Sequence, residues 1–248
     1  MTEPPYLLAF DRNLKHQVEH LPGKLRQEVR LRADSVRTQR KRLMVIDVQQ
    51  STLRMLWEED ELVLDLGALQ GLWAEAQYLK LTDQTNRLIE FTDGYVEVLP
   101  LPTPRHQVIL ALLYELFATF LRPRGGKVLF APLRLQVRLN KYREPDLLLL
   151  LDASDPRNQN AFWLGADLVI EIVSSDDPER DTRVKRADYA EARIPEYWIV
   201  NPVDETITVL KLDGDAYVEH GMFRRGESAA SALLDGFAVW VDEVFEAS

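Results

Sequence analysis

The stretch YREPDLLLLLD, Tyr142 to Asp152, decides the fold of this 248-residue chain. Its five consecutive leucines predict a strand buried on both faces, because such strands read as continuous apolar runs. Asp146 stands at the start of this strand, directly behind Pro145. Proline has no N–H group to donate to a ladder, so this position is typical of a strand start or an edge. The stretch therefore places a carboxylate at one end of a hydrocarbon core.

A second apolar run, DLVIEIVSS from Asp167 to Ser175, also contains an acid. Glu171 shares a face of this predicted strand with Val169 and Val173. A carboxylate buried alone is costly, so Glu171 must be protonated, paired with a base or bound to a cation. Two acids at corresponding ends of neighbouring strands can hold one hard cation. Mg²⁺ suits such a site, with Mn²⁺ as a substitute, because it takes few protein ligands and keeps waters for a phosphate substrate.

Lys185 is the candidate for a further cation at this site. Cleavage of a phosphodiester needs a group that steadies the developing charge or positions the water. Lys185 lies in a predicted helix that leaves the Glu171 strand and returns over the sheet. Asp181 stands one turn before it and Tyr189 one turn after it, so the three side chains share a helix face. We expect Asp181 and Tyr189 to orient Lys185 rather than to react.

A predicted hairpin supplies a third acid. The stretch RLIEFTDGYVEVLP contains Asp93-Gly94, a two-residue turn signal between apolar runs. With this turn, Glu90 faces Glu97 across the hairpin, and two like charges in that position repel each other. The repulsion suggests that one of them reaches for a metal or a base. His106, near the start of the next apolar helix, is close to this hairpin in sequence.

The distribution of charge along the chain bears on whether it binds nucleic acid. The net charge of −10 argues mildly against nucleic acid, but residues 1–43 carry a net +5. Residues 122–143 hold seven basic residues and no acid, and they run directly into Asp146. This tract is either an ordinary solvated strand and loop or a surface that contacts phosphates without reading sequence. The candidate nucleic-acid contacts are Arg134, Arg138, Lys141 and Arg143.

Composition limits the class of protein. The chain has no cysteine, which excludes disulfides and cysteine-ligated metal sites and permits a reducing compartment. We expect a cytoplasmic protein, because we find neither a secretory signal nor an apolar run long enough to cross a bilayer. The motif HQVEH, His16 to His20, resembles a zinc-protease helix, but Pro22 and Gly23 follow at once and a zinc site is not expected.

The order of predicted elements indicates a mixed α/β domain. We expect residues 1–70 to form a basic, partly helical N-terminal extension, and residues 71–248 to form the main domain. Asp176 or Asp177 is the expected cap of the helix that carries Lys185. The expected elements are helix 73–81, an apolar helix opened by Thr103 and Pro104, a strand-like stretch 127–139, buried strands 144–151 and 167–174 followed by a parallel crossover, the strands EYWIVN, TITVLKL and AYVEH, and a short C-terminal helix.

Three of these stretches resemble a known family. NRLIEFTDGYVEVLPLPTPRHQVI, REPDLLLLLD and DLVIEIVSSDDPERDTRVKRADYAEARIPEYWIVNP are similar to the Uma-two family of "putative restriction endonucleases". That family is grouped with the PD-(D/E)xK nuclease fold, a restriction-endonuclease-like mixed β-sheet core flanked by helices. The resemblance covers about residues 70–248, and nothing transfers to the residues before them.

The resemblance implies roles for several residues. Asp146 and Glu171 would be metal ligands, Glu90 an accessory acid that also reaches the metal, and His106 a histidine beside the site. In the wider fold a lysine stands two residues after the second acid, a position that is Val173 in this chain. The family shows the same departure and moves the lysine to the following helix, which implies Lys185.

Each of these residues also has a purely structural interpretation. Asp146 could cap backbone amides at a strand end, and Glu171 and Lys185 could form a buried ion pair. Glu90 could be a solvated hairpin residue, and His106 could be an ordinary residue of a first helical turn.

The leading functional hypothesis is a magnesium-dependent endonuclease that acts on DNA, with a homodimer expected by analogy to restriction enzymes. The alternative is a catalytically weak or inactive nucleic-acid-binding or accessory module on the same fold. A third hypothesis treats the acids as the general acid and base of a glycosidase. It is the weakest, because acids embedded in apolar strands beside a lysine fit a cation site better.

Overall fold

The computed structural model describes residues 45–49, 52–57, 60–65, 67–174 and 179–247. The residues of the candidate site all belong to one compact unit, which comprises Ile46–Met55 and Leu62–Ser248. The helices expected in the first 43 residues, the HQVEH motif and the cap at Asp176 or Asp177 lie outside the described residues. The domain boundary near residue 70 stays a prediction. In the part of the chain that is described, no helix is long and apolar enough to cross a membrane.

A three-stranded sheet forms within residues 45–65 and was not expected from the sequence. Its strands are β1 (Val45–Gln49), β2 (Thr52–Trp57) and β3 (Asp60–Asp65), in the order β1-β2-β3. A single 3₁₀ turn follows at Gly67–Leu69.

The predicted hairpin forms part of a four-stranded sheet, and its predicted register is confirmed. Strands β4 (Ile89–Thr92) and β5 (Tyr95–Val98) pair so that Glu90 faces Glu97. Asp93 and Gly94 both have positive φ, as a type I′ turn requires. The remaining elements here are helix α1 (Glu75–Thr82), β7 (Leu135–Arg138) and β8 (Lys141–Arg143), and the sheet order is β5-β4-β8-β7.

Helix α2 (Pro104–Leu121) begins as its sequence predicts. The Thr103 hydroxyl accepts a hydrogen bond from the His106 backbone N–H at 3.2 Å, and Pro104 occupies the first turn, where its missing N–H group costs nothing. A 3₁₀ turn, Arg122–Arg124, follows α2, and Gly125 with φ of 86° ends it. One face of α2 is buried in the core through Ile109, Leu113, Phe117 and Leu121.

A six-stranded sheet positions the candidate site. Its strands are β6 (Lys127–Phe130), β9 (Leu147–Leu150), β10 (Leu168–Ile172), β11 (Glu196–Asn201), β12 (Thr206–Asp213) and β13 (Ala216–Phe223). Their order in the sheet is β13-β12-β11-β10-β9-β6. Strands β10 and β11 are parallel, as expected, and the chain passes between them through a π-helical turn at Arg180–Val184 and helix α3 (Lys185–Glu191). The other neighbours are antiparallel.

The expectation of one continuous strand-like stretch over 127–139 is wrong. The structure divides it into β6 of the six-stranded sheet and β7 of the four-stranded sheet. Pro132 lies between them and has no N–H group to donate to a ladder, so the pairing of β6 cannot continue through it.

The leucines of β9 are buried on both faces, as predicted. Leu147 and Leu149 pack with Ile170 in the cluster that includes α2. Leu148 and Leu150 pack on the opposite face with Val169 and with residues of α3. A hairpin of β14 (Ser228–Ala230) and β15 (Ala238–Trp240) and the C-terminal helix α4 (Val241–Glu246) complete the domain.

Candidate active site

Asp146 and Glu171 lie at the same end of the β9–β10 pair. Leu147 faces Ile170 in this antiparallel pair, so one further step of the register places Asp146 opposite Glu171. Directly opposed residues project from the same face of a sheet. The Asp146 carboxylate also accepts a hydrogen bond from the backbone N–H of Ile172 at 2.8 Å. The structure therefore brings the two predicted acids together.

The ammonium group of Lys185 lies among three carboxylates on this face. Its Nζ atom is 2.8 Å from Oε2 of Glu171, 3.1 Å from Asp181 and 3.8 Å from Glu90. Tyr189, one turn further along α3, donates its hydroxyl to the other oxygen of Glu171. The predicted helix face of Asp181, Lys185 and Tyr189 is thus directed at Glu171.

Burial and charge shift the pKa values in this cluster. Burial raises the pKa of Glu171 above its ordinary value; Lys185 opposes the shift, while Asp146 and Asp181 add to it. Burial also raises the pKa of Asp181, against the effect of Lys185. For Lys185 burial acts downward, but Glu171, Glu90 and Asp181 outweigh it and its pKa lies above the ordinary value. The lysine therefore stays charged among the three acids.

Glu90 is buried and faces cations. Arg180 contacts both Glu90 and Glu97, so one guanidinium bridges the two like charges that oppose each other in the hairpin. The Arg143 guanidinium lies 3.4 Å from Glu90. Burial would raise the pKa of Glu90, but Lys185, Arg143 and Arg180 together lower it. The expectation that one of the facing acids reaches for a base is met, while its role as a metal ligand stays a prediction.

His106 contacts the first candidate ligand. Its Nε2 atom lies 3.0 Å from Oδ2 of Asp146, the same oxygen that accepts the Ile172 N–H. Nδ1 of His106 is buried and has no hydrogen-bond partner in the described part of the chain. Nε2 must carry a proton to donate to a carboxylate, so a neutral ring presents a bare lone pair at Nδ1. The imidazole therefore holds Asp146 from the side of α2.

The four basic residues predicted to contact nucleic acid all have partners within the chain. Arg134 donates to Asp83 at 2.8 Å, and Arg138 donates to both oxygens of Asp93 at 2.8 and 2.7 Å. Lys141 and Arg143 both contact Asp188, and Arg143 is buried. Their role at a DNA backbone stays a prediction, and Arg143 in particular is enclosed by the hairpin and α3.

A family of known proteins matches the part of the chain that carries this site. The profile of the family Uma2, described as "Putative restriction endonuclease", matches residues 75–242. The chain belongs to the Uma2 family. The resemblance noted in the sequence is thereby confirmed, and the family is described as one of nucleases.

A solved structure resembles the Uma2 chain in fold. It is the crystal structure of a protein described as "a putative nuclease belonging to DUF820" from Anabaena variabilis ATCC 29413. The TM-score is 0.58 at 18% sequence identity, over 68% of this chain and 96% of that chain. The expected nuclease-like mixed α/β fold is confirmed by this match. A search of curated proteins found no match.

The residues of this Uma2 chain fit a divalent cation through two carboxylates. Mg²⁺ uses one or two carboxylates and keeps several waters, and Asp146 and Glu171 present such oxygens from one end of a strand pair. Oδ1 of Asp146 accepts no hydrogen bond from the residues that the structure describes, which leaves it available. Within those residues, no group of three or more His, Asp or Glu side chains has the arrangement of a metal site. The fit therefore rests on the pair rather than on a ring of protein ligands.

The sequence did not identify two residues of this site, Arg180 and Glu144. Arg180 was missed, although the repulsion between Glu90 and Glu97 called for a cation. The sequence patterns assigned no role to Glu144, which lies two residues before Asp146. It is buried, accepts the Ile89 N–H at 2.9 Å, and burial raises its pKa to about 8 against the effect of that hydrogen bond. Its signal was an acid two residues before Asp146 in a chain segment that turns into the core.

Proposed function

We propose that this chain hydrolyses phosphodiester bonds in DNA with the help of Mg²⁺, for which Mn²⁺ can substitute. One observation carries the proposal: the carboxylates of Asp146 and Glu171 meet at one end of the central sheet with the Lys185 ammonium group beside them. The description of its family and of its structural relative as nucleases supports the reaction class. The DNA substrate and the magnesium dependence are our inference.

Asp146 and Glu171 would hold the cation. When bound, such an ion polarises the scissile phosphate and lowers the pKa of a coordinated water. The Ile172 N–H and His106 hold the Asp146 carboxylate in one orientation, and Tyr189 holds Glu171. Fixed carboxylates need little reorganisation during the reaction, which is the basis of electrostatic preorganisation.

Lys185 would neutralise charge at the phosphate and orient the attacking water. It is held 3.1 Å from Asp181 and 3.8 Å from Glu90, and the latter also contacts Arg180. Glu90 would assist by holding the side chains of Lys185 and Arg180, and it would serve the metal directly or through water. His106 assists by holding Asp146.

The partner and the assembly are further parts of the proposal. Arg134, Arg138, Lys141 and Arg143 belong to a basic tract whose solvent-accessible members would contact the phosphate backbone, while the buried Arg143 would support them from within. Two copies of the chain form a homodimer in the cytoplasm, an arrangement suited to cutting both strands of a duplex. The mass in solution, measured by light scattering with and without DNA, tests the homodimer.

Plasmid cleavage tests the activity. Supercoiled DNA is incubated with the full chain in the presence of Mg²⁺, Mn²⁺ or EDTA, and the products are separated on a gel. We expect nicked and linear DNA with either cation and none with EDTA. Lys185→Ala and Asp146→Ala are compared with Arg183→Ala, an exposed arginine in the same helical segment. Equal cleavage by all four proteins would remove the catalytic assignment.

A specific observation favours a second candidate function. Both oxygens of Glu171 are already engaged, one by Lys185 and one by Tyr189. A site closed in this way suits a nucleic-acid-binding module that has kept the fold with little turnover. DNA binding that is independent of metal, without any product, supports this candidate over the nuclease.

A further inference from the structure

An aromatic and cationic surface lies on the α2 face of the sheet that carries the candidate active site. Phe130, the last residue of β6, is 47% exposed and faces Leu147, the neighbour of Asp146 in the chain. Tyr114 of α2 meets the Phe130 ring edge to face, with the ring centroids 5.1 Å apart. Arg122 donates to the Tyr114 hydroxyl at 2.6 Å, and its guanidinium lies 5.6 Å from the centre of that ring. We call Tyr114, Arg122 and Phe130 the aromatic edge.

The connection to the site runs through the backbone of β6. Ala131, directly after Phe130, donates its N–H to the carbonyl of Asp146 at 3.2 Å. One residue therefore separates the exposed ring from the strand position that carries the first candidate ligand. The Phe130 ring projects with Leu147 from the α2 face of the sheet, whereas Asp146 and Glu171 project from the α3 face. Helix α2 joins the two places, because its His106 contacts Asp146 and its Tyr114 lies eight residues, about 12 Å, further along the same helix.

The arginines near the aromatic edge differ in their ion pairing from the arginines predicted to contact nucleic acid. Arg134, Arg138 and Arg143 each pair with a carboxylate of the chain. Arg122 and Arg124 are exposed, and neither forms an ion pair with an acid in the part of the chain that the structure describes. Their charge is therefore available to a polyanion, although the whole chain carries a net charge of −10.

We infer that the aromatic edge binds an unpaired stretch of a DNA strand, with a base stacked on Phe130 and the adjoining phosphate at Arg122. Exposed aromatic rings stack with any base that is not already stacked in a duplex, and arginine adds charge and planar contact. A base paired within a duplex offers no free face to such a ring. The inference rests on the proposed function, because it names the form of DNA that the same site receives.

Binding without cleavage tests this inference. The full chain is titrated in EDTA against labelled oligothymidylate and against a blunt duplex of equal length, and fluorescence anisotropy is recorded. We expect Phe130→Ala to weaken binding of the single strand about 10-fold, within the range that loss of one base stack produces. Phe130→Trp should restore it. The matched control is Trp240→Ala, which removes an aromatic ring that is 48% exposed on β15.

Salt dependence tests the cationic part. We expect Arg122→Gln to reduce the slope of log affinity against log salt for the single strand by about 0.7, the value for one phosphate contact on a single strand. Arg224→Gln, at an exposed arginine outside the aromatic edge, should leave the slope unchanged.

The outcomes separate the two proposals. Equal weakening of single-strand and duplex binding by Phe130→Ala, no weakening of either, or no binding by the wild-type chain would each overturn the inference. If the wild type and Phe130→Trp bind the single strand tightly and Phe130→Ala does not, the inference is supported. In that case an absence of cleavage with Mg²⁺ and Mn²⁺ would contradict the nuclease proposal alone.

Discussion

The ammonium nitrogen of Lys185 lies 2.8 Å from Oε2 of Glu171, and both side chains are almost completely buried. Removal of one partner of such a pair leaves an uncompensated charge, at a cost of about 3–5 kcal/mol. We therefore expect Lys185→Met to lower the free energy of unfolding by about 3 kcal/mol. Chemical denaturation followed by circular dichroism measures this change.

A double variant identifies the origin of that loss. Adding Glu171→Gln to Lys185→Met removes the second charge, so part of the stability should return. Lys211→Met, at an exposed lysine of β12, controls for the loss of a lysine and should change the free energy of unfolding by less than about 0.5 kcal/mol. A Lys185→Met chain as stable as the wild type would contradict the pairing.

Asp146→Asn should abolish activity while preserving the fold. The asparagine oxygen can still accept the Ile172 N–H, but it carries no charge for a divalent cation. We expect cleavage to fall at least about 100-fold, in line with the loss of one electrostatic contact in a transition state. Plasmid cleavage and calorimetric titration with Mn²⁺ are the measurements.

The matched control for Asp146 lies at the other end of the same strand pair. Asp167 accepts the Leu151 N–H at 2.7 Å, much as Asp146 accepts the Ile172 N–H. Asp167→Asn should therefore leave both cleavage and metal binding close to those of the wild type. Comparable losses in the two variants would mean that Asp146 acts only as a backbone cap.

Arg180 should stabilise the hairpin, because its guanidinium bridges the facing carboxylates of Glu90 and Glu97. Its replacement by glutamine leaves the two carboxylates facing each other without a bridge. We expect Arg180→Gln to lower the free energy of unfolding by about 2 kcal/mol, and Glu97→Gln in the same chain to restore about half of it. Thermal unfolding of the four chains of this cycle supplies the coupling energy. Additive effects would show that the bridge does not matter.

Stability should depend on pH through Glu144. Burial raises its pKa in the folded chain from an ordinary 4.5 to about 8, so the folded state binds the proton more tightly than the unfolded state. The contribution of Glu144 to stability is complete below pH 4.5 and is lost as the pH rises toward 8.

Glu144→Gln should remove that dependence, because glutamine cannot ionise and its carbonyl can still accept the Ile89 N–H. Relative to the wild type, we expect the variant to gain up to about 4 kcal/mol of stability between pH 5 and pH 8.5. Denaturant unfolding at both pH values measures the gain. Glu243→Gln, at an exposed glutamate of α4, is the control and should show no such gain. A parallel loss of stability with pH in wild type and Glu144→Gln would refute the assignment.

Local signals explain what the sequence predicted correctly. The turn at Asp93-Gly94 sets the hairpin register, and Thr103 with Pro104 sets the start of α2; each depends on residues a few positions apart. The apolar runs around Asp146 and Glu171 predicted buried strands because their periodicity is a property of the strand itself. The spacing of Lys185 from Asp181 and Tyr189 needed only the helical period.

Contacts between distant residues explain what was missed. Arg180 and Glu97 are 83 positions apart, and Arg143 and Asp188 are 45 apart. No periodicity joins such pairs, so the enclosure of Arg143 and the bridging by Arg180 became visible only in three dimensions. The strands at Val45–Asp65 also lack the alternation that marks a half-buried strand, and the split between β6 and β7 depends on which sheet each half joins.

An aspartate lies at each end of the strand pair that carries Asp146 and Glu171. Asp146 accepts a hydrogen bond from the Ile172 N–H at one end, and Asp167 accepts one from the Leu151 N–H at the other. Residues 152–166, which connect these strands, leave from the end remote from Asp146 and expose Gln159 and Asn160. An insertion at those two positions changes none of the contacts of the reactive carboxylates. A fluorescent reporter or an affinity peptide can therefore be grafted there. Whatever the graft binds, the distance between the carboxylates of Asp146 and Glu171 stays the same.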